Sequence, residues 1–434
     1  MIKFFKIISL VFLLFSCSLN SDSKFWSKRN IDSKQKILNI KQISKKDEIL
    51  LSEINKSSKI NLSSLKKENF SQSYFYNNNG RTNYDGELKS ISRYKFKKIE
   101  RFNEYEPEVI LDNQNIIFFD NKGTILKFDQ NSKLIWKNNY YNKSEKKLNP
   151  FLFMTAKNNT LIVVDTIAKT FAINIETGKL IWSNYNISPF NSQIKIFEDK
   201  FYVVDTKNIL RCFSIIDGKE IWNYKTDAPF IKSQKRVSLI IKNNKVIFNN
   251  SIGDITAVDT DTGDLVWQTP TQSKKIYDES MFFKNSDLIS TDSSIIFSNN
   301  NNDFYSLNSK DGLLNWKQKL NSNVKPVYFN ELIFTVTNEG YLAVINNKNG
   351  ELIRSTYLFN SFKSKKRKNI KPIGFIVGKK NIYLTLNNGR LMVINISEGN
   401  VKSIIKIDKE KISTPVVQGQ NLYITKNNSI IKLN

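Results

Sequence analysis

The sequence predicts an all-β fold, an eight-bladed β-propeller, on three observations. A short phrase ending in tryptophan recurs along the chain. Strand-like runs come in sets of four between its copies, and the last set is one strand short. A self-similar period in the forties with an aromatic marker belongs to propeller blades.

The phrase is clearest at Gly178-Lys179-Leu180-Ile181-Trp182. Trp222 follows Gly218 by the same four residues, as Trp267 follows Gly263 and Trp316 follows Gly312. Trp136 ends the phrase with Ser132 in the glycine's place, and two degenerate copies put Arg354 after Gly350 and Ser403 after Gly399. Successive slots lie 46, 40, 45, 49, 38 and 49 residues apart. Five of the six tryptophans fall in the slot, so they read as architecture: an indole on the outermost strand wedged between blades, its N–H bonded to a carbonyl of the neighbour. Burying it contributes a few kcal/mol.

Taken in order, the chain opens with a segment that reads as an export signal, residues 1–16. Lys3 and Lys6 form a positive start and Ile7 to Phe15 an apolar run too short for a membrane-spanning helix. Leu14-Phe15-Ser16-Cys17 then resembles a bacterial lipobox, which implies a diacylglycerol on the Cys17 thiol. An ordinary signal peptide with an incidental cysteine is the alternative. Ser18 in place of aspartate implies sorting to the outer membrane. Cys212 is left with no intrachain disulfide partner in the processed chain. Residues 17–87 lack a sustained period, are rich in Ser, Lys and Asn, and read as a flexible tether with at most a turn of helix over Ile49–Ile54. Trp26 lies within it.

Residues 88–434 are the expected propeller. Four strand candidates recur in 107–140, 151–185, 192–224, 235–269, 287–319, 324–357 and 371–407, with glycine at the last tight turn supplying the positive φ a hairpin needs. After Asp408 only three strands remain, at 414–417, 422–425 and 430–433. The unassigned run 88–96, with Ile91, Tyr94 and Phe96, supplies the fourth and closes the ring by pairing the N- and C-terminal strands. Eight blades follow; seven is the count if 88–96 does not pair.

Composition bounds the function. The net charge of +26 invites nucleic acid, but lysine is spread through every region, and no nucleic-acid partner is expected. The chain has no histidine, which removes the commonest general base and metal ligand. Asp259, Asp261 and Asp311 sit on turns, where aspartate ordinarily caps backbone N–H groups. No catalytic residue, metal or cofactor is expected. The basic run from Lys363 to Lys368 reads either as a solvated loop or as a contact with lipid phosphates or an acidic partner.

The repeat Ala257-Val258-Asp259-Thr260-Asp261-Thr262-Gly263-Asp264-Leu265-Val266-Trp267 resembles that of quinoprotein-type eight-bladed propellers. Pyrroloquinoline-quinone dehydrogenases share it with the BamB family, lipoproteins of the outer-membrane β-barrel assembly machinery. The dehydrogenases are longer and usually carry adjacent cysteines, absent here. Resemblance to the BamB family implies a non-catalytic, lipid-anchored outer-membrane scaffold facing the periplasm. It would be a monomeric propeller within a complex, docking on the POTRA domains of BamA and assisting insertion of outer-membrane proteins. A propeller that binds another envelope protein or a polysaccharide is the alternative. By resemblance, the partner-binding segments follow the outer strands of middle blades: Phe230, Ile231, Lys232, Ser233 and Gln234 after Trp222, and Asp287 after Trp267. Independently, Pro229 marks a turn that presents Phe230 and Ile231 either as an aromatic anchor or as a cap on the core.

Overall fold

The computed structural model describes residues 52–63, 78–112, 114–227, 236–271, 285–299 and 302–434. Ile49–Asn434 form one compact unit. It contains eight four-stranded antiparallel sheets, and in seven of them four consecutive strands pair in sequence order. These are blades 1 to 7, at 110–138, 152–185, 195–225, 239–269, 289–319, 327–357 and 372–406. Blade 8 takes its three inner strands from the C-terminus and its outer strand, Ser90–Lys95, from the other end of the fold. That strand pairs with Ser429–Leu433, Tyr94 opposite Ile430, so the run at 88–96 closes the ring. The count is eight.

Middle strands carry continuous apolar runs because each blade is covered on both faces by its neighbours. Leu161 to Val164, Phe201 to Val204 and Ile295 to Phe297 are wholly buried. The outer strands instead alternate: in Leu180–Tyr185 only every second side chain turns inward.

A β-bulge recurs in blades 1 to 7 between third and fourth strands, one residue before the tryptophan slot. The bulge re-aims the slot residue toward the next blade. There Trp136 Nε1 donates to the Ile175 carbonyl (3.0 Å), Trp182 to Ile215 (2.8 Å), Trp222 to Thr260 (3.2 Å) and Trp316 to Asn347 (2.8 Å). Each indole lies on the glycine of the neighbour's last turn. A Cβ at Gly263, whose φ is +78°, would sit 2.7 Å from Trp222 Cδ2. The glycine of the phrase therefore serves two needs, positive φ and room for the preceding blade's tryptophan.

The degenerate slots have separate reasons. Arg354 is fully buried and its guanidinium takes the indole's place, donating to the Ile396 carbonyl (2.7 Å) and to that of Ser397. Ser403 faces the one blade without a turn between third and fourth strands, because there the chain ends at Asn434 and the outer strand starts anew at Ser90. At the closing junction Tyr94 hydroxyl donates to the Gln130 carbonyl of blade 1 (3.1 Å).

The tether expected over 17–87 is corrected in two stretches. Residues 52–60 lie along the outer edge of blade 6: Ile54 and Ser355 exchange backbone hydrogen bonds (3.1 and 2.9 Å), and Arg354 Nη1 donates to the Ser58 carbonyl (2.9 Å). Ile54, at the end of the run that could at most form a turn of helix, makes a β-bridge with Ser355. Residues 78–88 form a strap across the centre of the ring, detailed below. Both bind largely through backbone and polar groups, with single buried anchors at Ile60 and Tyr84 that set no hydrophobic period in the sequence. The export signal, Cys17, Ser18 and Trp26 lie outside the described residues.

Candidate docking face and channel mouth

Antiparallel pairing alternates strand direction, so each propeller face collects one kind of loop. One face carries the blade-to-blade links, including the fully described 358–371. The other carries the turns after the first and third strands. Of the residues singled out for partner binding, Asp287 lies on the first face. Phe230, Ile231, Lys232, Ser233 and Gln234 lie outside the described residues, and Asp287 is described.

Asp287 stands at the mouth of the central channel, two residues before the inner strand of blade 5. Its carboxylate accepts from Gln193 Nε2 (3.2 Å) and pairs with Arg236 Nη2 (3.5 Å). Arg236 also pairs through Nη1 with Glu108 Oε1 (2.6 Å). Glu108, Lys195, Arg236, Asp287 and Lys325 all lie within three residues of an inner-strand start, in blades 1, 3, 4, 5 and 6. The ring symmetry gathers charges that lie one or two blade repeats apart in sequence. Burial pushes the Lys195 ammonium down to about 7, against the opposing pull of Glu108 and Asp287. Burial lowers that of Lys325 as well.

The strap bonds to the inner-strand ends beside this cluster. Asn78 Nδ2 lies 2.9 to 3.3 Å from Gln193 Oε1, Ser238 Oγ and the carbonyls of Leu239 and Leu288, and its Oδ1 accepts from Lys195 Nζ (2.6 Å). Asn79 bonds the Tyr328 carbonyl (2.7 Å), and the Arg81 guanidinium donates to the Gly378 carbonyl and stacks over Phe329. Tyr84 packs edge-on against Tyr383, Lys379 N–H donates to the Tyr84 carbonyl (2.8 Å), and Asp85 N–H donates to Gln420 Oε1 (3.2 Å). One extended segment thus touches blades 3 to 8 in turn. Sequence reasoning missed it because Asn77-Asn78-Asn79-Gly80 reads as a polar linker.

Of the turn carboxylates, Asp259 and Asp311 are caps, whereas Asp261 Oδ1 accepts from Lys200 Nζ (2.6 Å). Asp259 Oδ1 accepts from Asp261 and Thr262 N–H (2.8 and 3.0 Å), and Asp311 Oδ1 from Leu313 N–H (3.0 Å). Among the described residues no group of three His, Cys, Asp or Glu side chains is arranged to hold a metal. Cys212 is buried between blades 3 and 4, its thiol pushed up to about 12.

The sequence model of the family described as outer membrane protein assembly factor BamB matches residues 121–356, more than half of the chain. The chain belongs to that family. The BamB of Legionella pneumophila is 25% identical over 257 residues, which cover 57% of this chain and 53% of the relative. The chain thus spans about half the length of that relative. The BamB of Moranella endobia is 20% identical over 289 residues, covering 63% and 69%. In structure, BamB from Moraxella catarrhalis matches with a TM-score of 0.66 at 15% identity, over 80% of this chain and 99% of that one. Quinohemoprotein alcohol dehydrogenase from Comamonas testosteroni matches with 0.61 at 10% identity, over 81% and 78%. At such identities both solved structures speak for the shared fold alone. The BamB family match separates this chain from the dehydrogenases that share its blades.

Proposed function

We propose that the protein is a non-catalytic scaffold of the outer-membrane β-barrel assembly machinery, docking on the periplasmic POTRA domains of BamA and assisting insertion of outer-membrane proteins. A lipid on Cys17 holds it at the outer membrane, facing the periplasm. The match of residues 121–356 to the BamB family carries this reading. Two geometric features support it. The channel axis, where a propeller enzyme would place a small molecule, is occupied by Asn78 and its neighbours. Arg236, which follows the 228–235 segment in sequence, pairs with Glu108 and Asp287 at the channel mouth.

The test is co-purification with BamA from detergent-solubilised envelopes, with melting temperature measured in parallel. Phe230→Ala combined with Ile231→Asp is expected to abolish co-purification at unchanged melting temperature. Lost stability would make those side chains part of the core, and retained binding would move the docking surface elsewhere. If the parent chain brings down other envelope proteins and no BamA, the scaffold reading falls.

A further inference from the structure

The link from blade 6 to blade 7 carries Lys363, Lys365, Lys366, Arg367 and Lys368. Its structure is a built corner. Phe359 and Ile370 are buried beneath it, and Ser364–Arg367 form a short helix. Arg367 folds the link on itself, donating through Nε to the Phe362 carbonyl (2.8 Å) and through Nη2 to that of Asn360 (3.0 Å). Lys363, Lys365, Lys366 and Lys368 are left exposed on its outside. This corner departs from the even spread of charge elsewhere: residues 352–397 hold ten Lys and Arg and no Asp or Glu, and the acids that reach the stretch from outside include Glu53 and Asp85.

A second observation points to what covers it. The first described residues of the chain, Ser52 and Glu53, are held at the same corner. Ser52 carbonyl accepts from Ser355 Oγ (3.0 Å), and Glu53 Oε1 accepts from the N–H of Tyr357 (3.0 Å), the last residue of the outer strand from which the basic link departs. That N–H, ahead of the Lys56 ammonium, holds the Glu53 carboxyl below its usual range.

We infer that this corner of blade 6 is a membrane-contact surface whose four exposed lysines take the phosphate headgroups of anionic lipids. The inference rests on the reading of an N-terminal lipid anchor. A polybasic patch beside a lipid attachment adds an electrostatic signal to the hydrophobic one and orients the protein on the membrane. Each lysine at an anionic surface strengthens partitioning by about fivefold. The fixed corner lowers the entropy lost when those lysines settle on headgroups.

The test uses unlipidated chain 18–434, which contains the whole compact unit, and vesicles of phosphatidylethanolamine with a minority of phosphatidylglycerol. One variant combines Lys363→Glu, Lys365→Glu, Lys366→Glu and Lys368→Glu. A control makes the same charge change at Lys133, Lys137, Lys179 and Lys225, exposed on blades 1 to 3. Co-sedimentation of the corner variant is expected to fall by at least about tenfold, and that of the control by less than about twofold. Equal losses would mean that net charge alone drives binding, and absence of binding by the parent would remove the surface altogether. Displacement by inorganic phosphate, but not by sodium chloride of the same ionic strength, would assign the lysines to a free anion. Each of these three outcomes overturns the inference. BamA co-purification by the corner variant reads the scaffold proposal separately.

Discussion

Trp267 and Trp316 hold the same slot in neighbouring blades, each 8% exposed, and differ in one atom's partner. Trp316 Nε1 donates to the Asn347 carbonyl at 2.8 Å, whereas Trp267 Nε1 is buried without an acceptor among the described residues. Both rings cover a glycine, Gly350 and Gly312, so the packing of the two is alike. Phenylalanine keeps most of that packing and removes only the N–H. Trp316→Phe is therefore expected to cost about 1 kcal/mol more than Trp267→Phe, the worth of an ordinary hydrogen bond. Denaturant midpoints at unchanged slope measure the difference. Equal losses would show that ring area alone holds the blades. These tryptophans are readable in sequence because each answers the same geometric demand at nearly the same interval.

Departures from the repeat are where elements outside the repeat attach. Arg354 reads as a decayed tryptophan, yet its guanidinium serves the blade 7 turn and the N-terminal stretch at once, through Ile396 and Ser58. No sequence signal reports the second role, since residues 52–60 bind by backbone pairing with Ser355 and carry no period of their own. Arg354→Ala removes hydrogen bonds from a buried charged donor and is expected to cost roughly 1.5–3 kcal/mol. Arg354→Trp restores the repeat's own latch toward blade 7 and leaves Ser58 unheld. It is expected to melt near the parent while hydrogen exchange at 52–60 rises. Unchanged exchange in both variants would mean that the Ile54–Ser355 bridge alone fixes this stretch. The charged mouth escaped sequence reasoning for a related reason. Glu108, Lys195, Arg236 and Asp287 are brought together by ring symmetry, and only Asp287 had a family motif to mark it.

At the scale of the whole ring, closure is shared between two devices. The strand Ser90–Lys95 fills the eighth sheet, which without it would leave Ser429–Leu433 as an open edge and lose the Tyr94 latch to blade 1. The junction between blades 7 and 8, where Ser403 has no glycine turn to meet, is crossed by the strap instead. Thr82 N–H donates to the Val377 carbonyl (2.9 Å), Lys379 N–H donates to the Tyr84 carbonyl (2.8 Å), and Leu88 N–H bonds the Asn434 carbonyl. Removing residues up to 86 is therefore no longer neutral, as a free tether would have made it. Three truncations separate the contributions: loss of 18–77 keeps strap and strand, loss of 18–88 keeps the strand, and loss of 18–98 keeps neither. Melting temperature is expected to fall in that order, with the last species also prone to associate through its unpaired edge. Identical melting of the second and third would place closure in the strap, and identical melting of the first and second would place it in the strand pair. The ring then depends on a segment that the repeat does not encode, and that segment continues toward the predicted membrane anchor.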